Sequence, residues 1–119
     1  MLRYVRIATV AAAAAVVSLS LCLDTQAQSV TLGQFQHPKS PKDLEVNKTY
    51  MLGAMDGVMA YNISLEDKLF CLPGPVGILT FDQATDVVMR WARKTSGSAD
   101  MPLGRALMYG LREAYPCRH

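Results

Sequence analysis

The amino-acid sequence predicts a small all-α domain, a helical bundle of three to four helices closed by one disulfide. Three observations carry that prediction. Apolar residues recur at helical spacing behind recognisable start signals. No stretch combines period-two alternation with a hairpin turn. Of the three cysteines in the 119-residue chain, two, Cys71 and Cys117, bracket the most strongly patterned half.

The first stretch reads as a secretory signal, residues 1–27. Arg3 and Arg6 supply a positive start, and the run from Ile7 through Leu23 is apolar apart from Thr9, Ser18, Ser20 and Cys22. Thr25-Gln26-Ala27 then places small residues where a signal peptidase reads them, with Gln28 as the new N-terminus. The apolar run is short for a transmembrane anchor and is followed directly by polar sequence. Cys22 follows the bulky Leu21, a poor context for lipid attachment, and is read as part of the discarded segment. Export delivers Cys71 and Cys117 to an oxidising compartment, where a single bridge is the expected outcome. On the chain-entropy model that bridge stabilises the fold by roughly 4 kcal/mol. This is a large share of the about 5–15 kcal/mol typical of a domain.

The elements follow in order. Residues 28–42 are polar, carry Pro38 and Pro41, and read as a flexible N-terminal arm. Residues 43–119 form the helical domain. Ser40-Pro41-Lys42-Asp43 resembles a helix start, with serine as cap, proline in the first turn and an acid at the third position. From Leu44 to about Ile63 the spacing is helical, with Met51, Met55, Val58 and Met59 on one side. Gly53 and Gly57 lie four apart there, which predicts close approach by another helix. A short extra turn fits around Ser64 to Leu69. Asn62-Ile63-Ser64 matches a glycosylation pattern, a short motif that carries little weight by itself. Phe70-Cys71-Leu72-Pro73-Gly74-Pro75 forces a connector.

Thr80 with Gln83 predicts a capping box, and the helix behind it runs to about Arg93. Phe81, Ala84, Val87, Val88 and Trp91 form its buried stripe, and Asp86 can pair with Arg90 one turn on. Thr95 to Ala99 is a loop by composition. Asp100 or a neighbour is expected to cap the last helix, with Pro102 in its first turn. Leu103, Ala106, Leu107, Gly110, Leu111 and Ala114 form its inward face, and Pro116 stops it.

These residues also resemble a known family. Tyr50-x-x-Gly53-x-x-Asp56, then Phe70-Cys71-x-Pro73, then the Thr80 helix with Gln83 and Val87-Val88, and finally Leu111 through Tyr115-Pro116-Cys117 are similar to the Rap/Tai immunity family. The resemblance covers Tyr50 to Cys117. It implies a small helical domain in the periplasm of a Gram-negative bacterium, with the two matching cysteines bridged. It implies a homodimer that binds a peptidoglycan amidase toxin delivered by type VI secretion and blocks its active site without catalysis. On this reading Tyr50, Gly53, Asp56, Phe70, Pro73, Tyr115 and Pro116 are structural motif residues. The connection between the last two helices, Lys94 to Asp100, departs from the family's pattern, which often carries a His-Pro with charged residues.

No catalytic residues, metal ligands or cofactor are expected. His37 and His119 stand in no pattern that would pair them with a nucleophile. Asp56 reads as a hydrogen-bonded structural carboxylate, and no cysteine–histidine cluster has metal spacing. The net charge of +2 includes Arg3, Arg6 and Asp24, which leave with the signal. No basic stripe points to nucleic acid, and no membrane contact is expected once the signal is cleaved. The methionines read as a soft core stripe and Trp91 as core. Ser96, Gly97 and Ser98 are nominated as the partner-binding loop, being exposed by composition. An acid-stress chaperone and a structural envelope protein are the alternative functions. The few carboxylates argue against the chaperone.

Overall fold

The computed structural model describes residues 29–118. The expected signal segment 1–27, with Cys22, lies outside them, as do Gln28 and His119. Four helices are present: α1 (Leu32–Gln36), α2 (Pro41–Ser64), α3 (Phe81–Lys94) and α4 (Leu103–Ala114). Among the described residues there is no strand, only an isolated antiparallel bridge between Thr31 and Pro102.

The start of α2 is as the sequence predicts. Ser40 is the N-cap, its hydroxyl accepts from the Asp43 N–H at 3.2 Å, and Pro41 occupies the first turn. The α3 start is a full capping box. The Thr80 hydroxyl accepts from the Gln83 N–H at 3.2 Å, and Gln83 Oε1 accepts from the Thr80 N–H at 2.9 Å. Both caps satisfy backbone donors that a helix leaves open at its first turn.

The N-terminal segment differs from its expected role as a flexible arm. From Val30 onward it is packed. Val30 and Leu32 are buried, and a second capping box, Thr31 with Gln34, starts α1. The segment runs beside the loop before α4. Leu32 N–H donates to Met101 O at 2.8 Å, Gly33 N–H to Ala99 O at 2.9 Å, and Leu103 N–H to Val30 O at 2.9 Å. That last bond overturns the expected cap of α4. Pro102, not Asp100, holds the N-cap position and makes no side-chain cap bond. The Val30 carbonyl, delivered from the other end of the chain, takes the open donor of Leu103. The packed unit therefore begins some twelve residues before position 43, and that boundary itself falls inside α2.

The extra turn around Ser64 to Leu69 does not form. The chain bends there instead. Lys68 Nζ folds back to donate to the carbonyls of Ile63, at 2.7 Å, and Leu65. These are the carbonyls a helix C-terminus leaves unpaired, and a cation suits that end.

The core gathers Leu32, Met51, Phe70, Val88, Leu103, Leu107 and Leu111, all fully enclosed, with Met55, Val58 and Val87 beside them. The methionines are thus core, and Met59 packs at its edge. Helix α4 is the hub, in contact with the other three helices. Its inward face is as predicted except that Ala114 is exposed. Trp91 is half-buried, packed against the core and 5.6 Å from the Tyr109 ring centre.

The glycines correct one expectation. Gly53 and Gly57 are exposed, and a Cβ added at either would meet nothing within 4 Å. The close helix approach occurs elsewhere, at Gly110. There an added Cβ would lie 2.7 Å from Val87 Cγ1 and 3.1 Å from Val87 O. Gly110→Ala is therefore expected to destabilise the fold by about 1–3 kcal/mol through overpacking. Gly53→Ala should be neutral or stabilise it by up to about 1 kcal/mol. Thermal melts of the two variants check the contrast, and equal losses would refute this account of the α3–α4 contact.

Candidate functional site

Two surface features are built by the fold: the connector from Leu65 to Thr80, and the loop from Thr95 to Pro102. The connector is tied down at both ends. At its start, Asn62, buried on α2, uses its whole amide. Its Nδ2 donates to Phe70 O at 2.9 Å, and its Oδ1 accepts from Leu69 N–H at 2.8 Å and Phe70 N–H at 3.4 Å. Phe70 is thereby seated in the core. One residue on, Cys71 N–H donates to Tyr115 O at 2.8 Å. The Cys71–Cys117 disulfide is formed, with its Cα atoms 4.9 Å apart. Tyr115 closes α4 and packs its half-buried ring against the core. At its far end the connector runs into the Thr80 cap.

Phe70, Cys71, Tyr115 and Cys117 thus converge in one place. Pro73 and Pro116 flank it and are exposed, and Tyr50 is half-buried against the core. Gly53 and Asp56 do not join the cluster. Both are exposed on the outer side of α2. Asn62 and Asn47, whose Nδ2 donates to Gln34 O at 3.0 Å, were missed as structural residues. Asn62 entered the sequence reading only through its glycosylation pattern. The usable signal was an amide on the same helical face as Met51, Met55 and Val58, where a polar side chain needs partners.

Between tied ends the connector is exposed. No charged residue occurs between Lys68 and Asp82. Val76 and Ile78 are 76% and 66% exposed. Gly74 and Gly77 have φ of +85° and +59°, a backbone region glycine enters without strain.

The second loop is less free than its composition implies. Ser96 and Gly97 are exposed, but Ser98 is half-buried, its hydroxyl donating to Thr95 O at 2.9 Å. Ala99 beside it abuts Gly33 of α1 at 3.1 Å from the position of a Cβ there.

A cleft of about 250 Å³ lies between α3 and α4. Val87, Gly110 and Ala114 line it together with Trp91, Arg90, Lys94 and Glu113. Its charges are paired: Arg90 with Asp86, and Lys94 with Glu113 at 2.6 Å. The Arg90 guanidinium bonded to Asp86 holds that carboxyl below its usual range. The contribution is present above the ordinary carboxylate pKa and is lost as pH falls through the lowered one. At so exposed a pair it is small. Among the described residues no three His, Cys, Asp or Glu side chains form a group that could hold a metal. None of the helices described is long and apolar enough to cross a membrane.

A disulfide-held helical domain with two presented loops is the architecture of a binding module. Residues 18–117 match the family described as Rap1a immunity proteins, and the chain belongs to that family. No curated protein and no solved structure matches the chain.

The clamp at the connector's root gives a direct test. Asn62→Ala leaves the Phe70 carbonyl and the Leu69 N–H without partners and should cost about 2–3 kcal/mol. The paired change Cys71→Ser with Cys117→Ser should cost about 2–5 kcal/mol. Hydrogen exchange should show earliest loss of protection at Cys71 and Tyr115 in the serine variant. Unchanged protection there would refute the clamp.

Proposed function

We propose that this protein is a periplasmic, non-enzymatic immunity protein that binds a peptidoglycan amidase effector of type VI secretion and occludes its active site. Family membership across residues 18–117 is the observation that carries this reading. The architecture supports it. Both presented loops are anchored by hydrogen bonds or a covalent bridge, and a preorganised loop loses little entropy on binding. The exposed Ser96 and Gly97 offer polar contacts near the start of α4. The 1–27 segment directs export, is removed near Ala27, and leaves residues 28–119 to act in the periplasm.

The working form in this reading is a homodimer. Between Thr49 and Ser64, Asp56 is the single charged residue of α2, and Leu52, Gly53, Gly57, Ala60 and Ile63 are exposed. A helix apolar on all sides is normally covered on all sides. The unfilled space over Gly53 and Gly57 admits a second helix.

Purified 28–119 chain is expected to bind a type VI peptidoglycan amidase effector from its own bacterium and to stop that amidase cleaving peptidoglycan. Co-production in the periplasm should prevent lysis. Light scattering should show a dimer that Gly57→Arg converts to a monomer with unchanged helical content by circular dichroism. A chain that neither binds nor protects refutes the reading.

A further inference from the structure

We infer that the α2–α3 connector is the principal anchor for the partner. Val76 and Ile78 insert into an apolar groove with a basic rim on a foreign protein. The inference rests on the immunity reading only for the identity of that protein. It deepens that reading by moving the main contact from the Ser96–Ser98 loop to residues 72–79.

Val76 is the most exposed of the large apolar side chains described, at 76%, and Ile78, at 66%, stands level with Ile63 of α2 at 67%. Val76 and Ile78 lie two apart in a segment without a single charge from Leu69 to Phe81. Water-facing loops are ordinarily polar, and single exposed apolar residues need no explanation. A whole loop that omits charge and presents two branched aliphatics does. The backbone is not free to hide them. The clamp of Asn62 on Phe70 and the Cys71–Cys117 bridge hold one end, and the Thr80–Gln83 box holds the other. Between them Pro73, Pro75 and the positive-φ Gly74 and Gly77 restrict the path. Such a tip docks with little ordering cost, and its neutral, apolar character requires a receiving surface with no ion to desolvate at its centre.

The charges bordering the loop select the occupant. Glu66 and Asp67 precede it and Asp82 follows it, all exposed. Of the cations beside it, Lys68 is engaged with the carbonyls of Ile63 and Leu65, and Lys48 lies over the Phe81 ring, 5.9 Å from its centre, which leaves the carboxylates in excess. An acidic border favours a basic rim on the partner and disfavours an anionic lipid surface. A second copy of the chain fits poorly as host. Its α3–α4 cleft is rimmed by Arg90, Lys94 and Glu113, already joined in ion pairs, with Trp91 as a wall, and its exposed α2 face is taken up by the dimer of the immunity reading.

The test titrates the 28–119 protein against a type VI peptidoglycan amidase effector from its own bacterium, by calorimetry at low and high salt. Val76→Asp with Ile78→Asp should weaken binding on the order of a hundredfold or more. Both side chains are solvent-exposed, so melting temperature and oligomeric state should not move. Val76→Ile with Ile78→Val should bind as the unaltered protein does. Ser96→Ala with Ser98→Ala should weaken binding less than the aspartate pair, and high salt should weaken the unaltered complex. If the aspartate pair binds like the unaltered protein, this inference is overturned while the immunity reading stands. If the aspartate pair instead changes the oligomeric state, the loop's occupant is a second copy and the inference is again overturned. If the unaltered protein does not bind the amidase, both readings fall.

Discussion

The arrangement of everything after α2 depends on how the chain is tied down at Phe70 and Cys71. Three kinds of bond meet within two residues: the side-chain amide of Asn62, the backbone pairing of Cys71 with Tyr115, and the Cys71–Cys117 bridge. A charge-free connector rich in proline and glycine makes no regular hydrogen bonds of its own. Without that knot it would have many conformations and no reason to hold Phe70 in the core. With it, α3 starts from a defined point and the end of α4 cannot fray from the bundle.

The same knot explains how a domain of about ninety residues presents apolar side chains to water without collapsing around them. A small core cannot enclose every aliphatic side chain. Here those left outside, on the connector and along the outer face of α2, stand on rigid supports. Membership of an immunity family suggests binding to an effector toxin, and a rigid surface binds at low entropic cost. The features that resist unfolding and those that serve binding are the same bonds viewed from two sides.

Legibility in the sequence followed the range of the interactions. Ser40 with Asp43, and Thr80 with Gln83, act across three residues, so their helix starts could be read directly. The stripe through Met51, Met55 and Val58 and the stripe through Ala84, Val87 and Val88 were legible because helical periodicity is local. The Cys71–Cys117 pairing was legible for a different reason: with residues 1–27 read as a leader, two cysteines are left and allow one partner each. The N-terminal segment was not legible. Val30 and Leu32 are two apolar residues in a polar stretch, and their burial depends on a loop some seventy positions away. Gly110 and Asn62 were opaque for the same cause. One is defined by the proximity of Val87, the other by the backbone of Phe70. The outer face of α2 misled in the opposite sense. Its glycines suggested a neighbour within the chain, and none is there.

The sequence by itself determined the helical class, the positions of the main helices, the sulfur bridge and the kinship to immunity proteins. The first three rest on spacing between near neighbours or on counting, and the kinship rests on resemblance to a family's motifs. Only the tertiary structure decided that the Val30 carbonyl caps α4, that Asn62 holds the connector, and that Val76 and Ile78 face water. Those outcomes depend on which distant backbone groups are left unpaired once the helices have packed.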